Sequence, residues 1–377
     1  MNYEYEINTN MIIWAINRAG LEIYELEHKF PKINQWINES KKPTLTQLKN
    51  LAKSIHVPFG YFFLDEPPIE KLEFPYFRTG KGSTNSVSLN VYDTIMLIQK
   101  RQDWLSEYLK NEGFDKLQFI GKSDISTPVK DIVSDIRESL GLKKDWAKKF
   151  ETWRDALAEL TNKIDNLGII TIFNGVVGNN THRKIEVEEC RGFVLVDDYA
   201  PFMFINNADA KAAQMFSLIH ELAHIWLGKS AGFDLRNIEP ANDPIELHCD
   251  KIAAEFLVPE ELFEHKWEYL KNFYDLAKFF KVSQLVIARR ALDLKKITKQ
   301  EFISFYIQYI KDVTKITESK KSGGNSKYLF KKRLNLIFAT HINNAVKQNK
   351  LLYRDAFRLT NFKSGNTYDK FIREFHI

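Results

Sequence analysis

The residues best suited to chemistry in this 377-residue chain are His220-Glu221-Leu222-Ala223-His224, an H-E-x-x-H pattern. On a helix, two histidines four positions apart lie on one face, so both imidazole rings can bind the same ion. Glu221 lies one position further around and can reach a water molecule beside that ion. Zinc would lower the pKa of this water toward about 7, and Glu221 would take its proton as it attacks a carbonyl. The pattern therefore predicts zinc-assisted hydrolysis.

A third zinc ligand is expected downstream, because catalytic zinc keeps three protein ligands and one open position. There are 21 residues between His224 and Glu246, the preferred candidate. Asp250 lies one helical turn beyond Glu246 and would accept a hydrogen bond from a ligand histidine, which fixes its tautomer. His248 and Cys249 compete as ligands. His248 should face away from Glu246 on a helix, whereas Cys249, three positions on, is not excluded by geometry.

The elements around this motif define its setting. A helix over about 210–228, capped by Asp209 and ended by Gly228, would carry the motif, and a second helix from about 244 would carry the acidic residues. Apolar runs before the motif predict strands. These predicted strands are Ile169–Phe173, Gly192–Val196 and Phe202–Ile205.

The segments His220–Gly228 (HELAHIWLG) and Glu246–Pro259 (ELHCDKIAAEFLVP) together resemble the ImmA/IrrE family of metallopeptidases, and the similarity extends over about 190–300. The resemblance implies a compact zincin-like fold with a small sheet beside the active-site helix. It implies that His220, His224 and Glu246 hold Zn²⁺ and that Glu221 is the base.

Substrate contacts are less well defined by the sequence. An edge strand containing Phe202 and Phe204 would align an extended peptide substrate through backbone pairing. The candidates for stabilising the oxyanion are Tyr76, Arg78 and His248.

The N-terminal segment resembles a small helix-turn-helix domain of the phage-repressor type, through Trp36 and the run Lys42–Leu48. The predicted helix after Pro43 has Thr44 as its N-cap. Residues 1–70 contain 7 Lys/Arg and 9 Asp/Glu. Because phosphate neutralisation supplies most non-specific DNA affinity, this negative charge disfavours DNA binding, and a module for protein contacts is equally compatible.

The positive charge of the chain is concentrated at the other end. Residues 320–377 contain 13 Lys/Arg and 3 Asp/Glu, whereas the whole chain has a net charge of +5. This basic segment is either a solvated face over an aromatic core or a binding surface for nucleic acid or an acidic partner. The candidate binding residues are Lys331, Lys332, Arg333, Arg354 and Arg358.

Composition excludes several classes of protein. The two cysteines exclude a disulfide framework, and no apolar run is long enough to span a membrane. The N-terminus lacks a signal-peptide pattern, so a cytoplasmic protein is expected. The predicted fold class is α+β, mostly α. The predicted divisions are a helix-turn-helix-like domain over 1–66, a helical connector over 67–168, a zincin-like domain over 169–318 and a basic helical domain over 327–377.

Two functions compete at this stage. The first is a zinc endopeptidase that cleaves a regulatory protein encoded by a neighbouring gene, as the family resemblance implies for repressors, mobile elements or toxin–antitoxin modules. The second is a transcriptional regulator or antitoxin with little or no catalysis, which binds a toxin or DNA and uses the peptidase fold as a scaffold. The intact H-E-x-x-H motif and Glu246 favour the first, because a scaffold does not need a base.

Overall fold

The computed structural model describes residues 7–69, 88–233, 243–270, 272–317, 326–362 and 364–377. Within these ranges the chain is mostly helical with two small sheets, which confirms the predicted α+β, mostly α class. Among the described helices, none is long and apolar enough to cross a membrane. The α-helices are α1 Thr9–Arg18, α2 Ile23–Glu27, α3 Ile33–Ile37, α4 Leu45–Ser54, α5 Leu89–Asn111, α6 Val129–Leu140, α7 Trp153–Asp165, α8 Lys211–Trp226, α9 Pro244–Leu257, α10 Glu260–Leu270, α11 Phe273–Phe280, α12 Gln284–Asp293, α13 Lys299–Thr317, α14 Ser326–Leu334, α15 Leu336–Lys347, α16 Tyr353–Thr360 and α17 Gly365–Phe375. The β-strands are β1 Ile170–Asn174, β2 Val176–Val177, β3 Asn180–Lys184, β4 Gly192–Leu195, β5 Phe202–Asn206 and β6 Ala231–Phe233.

The described residues divide into two compact units, and the first holds those up to residue 93. In it, α1 to α4 and a short 3₁₀-helix enclose their own apolar core. The predicted N-cap is confirmed, because Thr44 and Gln47 form a reciprocal capping box at the start of α4. Helix α3, which carries Trp36 of the helix-turn-helix resemblance, spans only five residues, little more than one turn. The helix-turn-helix interpretation therefore stays a prediction.

The second unit holds the described residues from 94 onward, and its main sheet has the strand order β1-β5-β4-β6. Strand β5 pairs in parallel with β1 and antiparallel with β4, so both of its edges are hydrogen-bonded. The prediction that Phe202–Ile205 is an edge strand is therefore wrong. Its cause is the parallel partner β1, which lies about 30 residues earlier in the chain and is not visible in local patterning.

Helix α8 lies against β4 and β5 on one side and α9 on another. All its residues from Ser217 to Trp226 are buried, which explains the continuous apolar pattern of this segment. The N-cap is Ala210 and not Asp209, because the carboxylate of Asp209 forms an ion pair with Arg191 at 2.6 Å. The predicted end at Gly228 is close to the observed one, and Gly228 has the left-handed φ of +65° typical of helix termini.

Several short elements are absent from the sequence prediction. They are the two-stranded sheet formed by β2 and β3, and the edge strand β6, which is three residues long. The sequence between 146 and 167 predicts one helix, whereas the structure has a 3₁₀-helix over Trp146–Lys149 and α7, which begins after its N-cap Thr152. Short strands and 3₁₀ turns carry little periodic signal.

The C-terminal helices α14 to α17 lie in the second unit. Arg101 of α5 is fully buried. Its guanidinium donates hydrogen bonds to the carbonyl oxygens of Leu359 at 2.8 Å and Arg333 at 3.1 Å, in the last turns of α16 and α14. Burial lowers the pKa of Arg101 to about 10. The negative ends of two helices thus partly compensate this buried cation.

Asn335 connects α14 and α15 to the sheet. Its Nδ2 donates to Asp165 Oδ1 at 3.0 Å and to the carbonyl oxygen of Thr171 on β1 at 3.1 Å. Its Oδ1 accepts from the backbone of Ile337 and Phe338 and so caps α15. Asn335 has a φ of +64°, a conformation that asparagine tolerates better than most residues.

We expect Asn335→Ala to lower the free energy of unfolding by roughly 2–4 kcal/mol, since it removes an N-cap and two buried hydrogen bonds at a strained φ. Denaturant unfolding followed by tryptophan fluorescence measures this loss. Asn344→Ala is the matched control, because Asn344 is exposed on the same helix α15. Equal stability of the two variants would contradict this role of Asn335.

Candidate metal centre

Three side chains from α8 and α9 converge on one point. His220 Nε2 lies 3.0 Å from Glu246 Oε2, and His224 Nε2 lies 3.2 Å from Glu246 Oε1. The two Nε2 atoms are themselves 3.2 Å apart. Among the described residues, these three form the one group of His, Cys, Asp and Glu side chains arranged to hold a metal ion. The structure therefore brings together the three ligands that the sequence predicts.

The electrostatics of this cluster favour a cation. Burial lowers the pKa of His220, but its hydrogen bonds to Asp250 and Glu246 outweigh burial and raise the pKa to about 10. Burial raises the pKa of Glu246, but hydrogen bonds from both histidines lower it to about 2. Two imidazole nitrogens and a carboxylate with no exposure to solvent are the donor set that Zn²⁺ accepts. The residues present fit zinc.

Asp250 holds the first histidine in place. Its Oδ1 lies 2.9 Å from His220 Nδ1, the ring nitrogen opposite the one that faces Glu246. A carboxylate in this position fixes which nitrogen carries the proton and orients the ring. The predicted role of Asp250 agrees with this geometry. His224 differs, since among the described residues its buried Nδ1 has no hydrogen-bond partner.

The two competing ligands lie outside the cluster. Cys249 is buried in the apolar cluster that contains most of α8 and α9, and burial raises the pKa of its thiol well above the usual value. His248 is half-buried, and burial and the charge of Lys251 lower the pKa of its ring, against opposing effects of Thr127 and Asp124 in the turn before α6. Neither residue belongs to the cluster of His220, His224 and Glu246.

Helix α9 is anchored at its C-terminus by two arginines. Arg137 of α6 donates to the carbonyl oxygens of Glu255 at 3.2 Å and Phe256 at 2.5 Å. Arg290 of α12 donates to the carbonyl oxygen of Val258 at 3.0 Å and forms an ion pair with Glu255. Cations at a helix C-terminus are favourable, so these contacts fix the helix that presents Glu246 and Asp250.

The proposed base, Glu221, is fully buried, and neither of its carboxylate oxygens has a hydrogen-bond partner among the described residues. Burial, followed by the charge of Glu246, raises the pKa of Glu221 well above the usual value. An unsatisfied buried carboxylate is costly in free energy, so its retention beside a metal-type cluster indicates a functional role.

Gly192 leaves space for this carboxylate. The sequence predicts only that Gly192 begins a strand, not that it belongs to the site. A Cβ on Gly192 would lie 2.9 Å from Glu221 Oε1 and 3.0 Å from the carbonyl oxygen of Phe204. Side chains larger than hydrogen therefore do not fit at the start of β4 while Glu221 keeps its position. A glycine opening an apolar strand is the only sequence signal for this constraint.

The predicted substrate contacts are not supported where the structure describes them. Phe202 and Phe204 are fully buried, and the ring of Phe204 stacks on Phe193 with centroids 4.9 Å apart. They pack in the core because β5 is a central strand. Of the oxyanion candidates, Tyr76 and Arg78 lie outside the described residues, and His248 interacts with the turn before α6.

The five basic residues predicted to bind nucleic acid or an acidic partner lie in three different settings. Lys331 and Lys332 line a cleft beside α7. Arg333 lines a small cavity together with residues of α5 and β1. Arg354 and Arg358 are mostly exposed and form ion pairs with the same aspartate of α16. Nucleic-acid binding by these residues stays a prediction.

Comparison with known families agrees with this geometry. Residues 165–292, which include the whole cluster, match a peptidase family model described as the IrrE N-terminal-like domain. The match supports the resemblance to the ImmA/IrrE family over that part of the chain and indicates a metallopeptidase-type fold. Residues 336–374 match a domain of unknown function, DUF8813. No curated protein matches the chain.

We expect the purified protein to bind one zinc ion, and Glu246→Gln to weaken zinc binding by at least roughly 100-fold, because a charged ligand becomes neutral. Asp250→Asn should weaken it by roughly 10–100-fold through the orientation of His220. Calorimetric titration and elemental analysis measure both effects.

The controls for zinc binding are Cys249→Ala and His248→Gln, which alter the two competing residues. Both should retain wild-type zinc affinity. Loss of zinc in Cys249→Ala together with its retention in Glu246→Gln would assign the third ligand to the cysteine instead.

Proposed function

We propose that the chain is a zinc-dependent endopeptidase that cleaves a regulatory partner protein. The observation that carries this proposal is the pairing of a His220–His224–Glu246 cluster with a buried, unpartnered Glu221 carboxylate on the same helix. A protein that used the fold only as a scaffold would gain nothing from keeping an unsatisfied carboxylate in its interior.

The ligand residues His220, His224 and Glu246 would hold the zinc ion. When bound, zinc polarises the scissile carbonyl and lowers the pKa of the attacking water. Asp250 keeps the ring of His220 in the orientation that presents Nε2 to the cluster.

Glu221 is the proton-transferring group in this proposal. Its carboxylate accepts a proton from the attacking water and donates it to the nitrogen of the leaving amine. Because Glu221 accepts no hydrogen bond from the described residues, its oxygens are available for this transfer.

The partner is proposed from the family resemblance. We infer a regulatory protein encoded by a neighbouring gene, either a repressor or a component of a toxin–antitoxin module or mobile element. The alternative is a regulator or antitoxin that binds its partner, or DNA, without cleaving it. The two functions differ in whether Glu221 is needed.

Glu221→Gln is expected to lower partner cleavage by at least roughly 100-fold while zinc stays bound, since general-base catalysis contributes about that much or more. The protein is co-expressed with the products of neighbouring genes, and the Glu221→Gln variant is used to capture the uncleaved partner. The captured partner is then incubated with wild-type protein, and mass spectrometry identifies the cleavage fragments. Glu261→Gln, an exposed glutamate on α10, is the control. If the Glu221→Gln variant regulated or neutralised its partner as well as the wild-type protein does, the binding function would be favoured.

Gly192→Ala should also retain zinc and lose at least roughly 10-fold in cleavage rate, because the new methyl group would displace the Glu221 carboxylate. Gly365→Ala serves as control, since a Cβ there meets its nearest atom at an ordinary 3.6 Å. Rates are compared at matched zinc occupancy. An unchanged cleavage rate for Gly192→Ala would show that Glu221 acts without the space that Gly192 leaves for its carboxylate.

A further inference from the structure

A second site candidate lies in the same unit, away from the metal centre. A cleft of about 460 Å³, here called the α7–α14 cleft, opens between α7, β1 and the junction of α14 and α15. It shares no residue with the cluster of His220, His224 and Glu246. The lining residues that matter for its chemistry are Asn162, Asp165, Asn166, Phe173, Lys331 and Lys332.

One wall of the cleft is positively charged. Lys331 and Lys332 both line it, and Lys332 Nζ lies 5.0 Å from the centre of the Phe173 ring. Two further cations lie near them. Burial, together with repulsion from Lys332 and Arg154, lowers the pKa of Lys211 to about 8. Lys331 and Lys332 are adjacent residues of α14 that both line the cleft, so an anion bound beside them would be attracted by both charges.

Residues of α7 that line the cleft offer hydrogen-bonding groups. Asp165 Oδ1 accepts hydrogen bonds from Thr171 N at 3.2 Å, Thr171 Oγ1 at 2.6 Å and Asn335 Nδ2 at 3.0 Å, which fix the carboxylate in place. The side-chain amides of Asn162 and Asn166 lie along the exposed end of α7. A carboxylate and two amides suit a ligand that carries hydroxyl groups as well as negative charge.

We propose that the α7–α14 cleft binds a small phosphate monoester on a hydroxyl-bearing scaffold, that is, a nucleotide or a sugar phosphate. The phosphate would contact Lys331 and Lys332, and the hydroxyl groups would face Asp165 and Asn162. The volume lies in the range of small-molecule sites. A nucleic-acid strand is disfavoured because it needs a continuous basic groove, whereas Arg354 and Arg358 are engaged with an aspartate on α16.

The test is calorimetric titration of the full-length protein with four probes: AMP, ribose 5-phosphate, adenosine and inorganic phosphate. We expect saturable binding of AMP, ribose 5-phosphate or both. Adenosine, which lacks the phosphate, and inorganic phosphate, which lacks the hydroxyl-bearing scaffold, should each bind at least roughly 10-fold more weakly. Tighter binding of AMP would identify a nucleotide, and equal binding would identify a sugar phosphate.

Two variants assign the binding to the cleft. Lys331→Gln/Lys332→Gln should weaken binding of the phosphate monoester at least roughly 10-fold, while the matched pair Arg354→Gln/Arg358→Gln should change it less than roughly 2-fold. Asn162→Trp keeps every charge but fills the cleft, and it should also weaken binding at least roughly 10-fold. Unchanged thermal unfolding of each variant shows that the fold is retained.

The proposal fails if neither phosphate monoester binds at millimolar concentration, or if both double variants weaken binding equally. It also fails if Asn162→Trp binds like wild type. Binding of a single-stranded oligonucleotide that depends on Lys331 and Lys332, without binding of AMP or ribose 5-phosphate, would replace the small ligand with nucleic acid.

Discussion

The central constraint on this protein is the burial of charge between α8 and α9. Two imidazole rings and the carboxylate of Glu246 meet within about 3 Å of one another, with the carboxylates of Glu221 and Asp250 beside them. In apolar surroundings such a group is stable only when positive charge balances it. The rest of the second unit keeps these charged groups together by holding both helices in place. The sheet packs against α8, and two arginines bind the C-terminal end of α9.

The parts of the site that the sequence predicts correctly are those set by helical spacing. His220 and His224 on one helix, and Glu246 and Asp250 on the next, are each four positions apart, so their shared face follows from 3.6 residues per turn. The coordination of zinc then predicts that the two helices lie side by side, because the ion needs a third ligand besides the two histidines. The Thr44 cap is predictable for the same reason, since a capping box involves only neighbouring residues.

What the sequence does not predict depends on residues that meet from distant parts of the chain. The central position of β5 follows from its parallel pairing with β1, and the need for Gly192 follows from the approach of Glu221 to β4. The division of the basic residues among three settings depends on how α14 and α16 pack against α5 and α7. None of these relations leaves a periodic pattern in a single segment.

The buried guanidinium of Arg101 has a consequence for how the chain can be divided. Its guanidinium donates to two backbone carbonyl oxygens of the C-terminal helices. Removal of those helices would take away both acceptors and expose to water the apolar surface that they cover. We therefore expect the segments matched by the two family models, which lie in the same compact unit, to stabilise each other. A fragment that keeps α5 but ends with the peptidase match should therefore be less stable than one that also keeps α14 to α17.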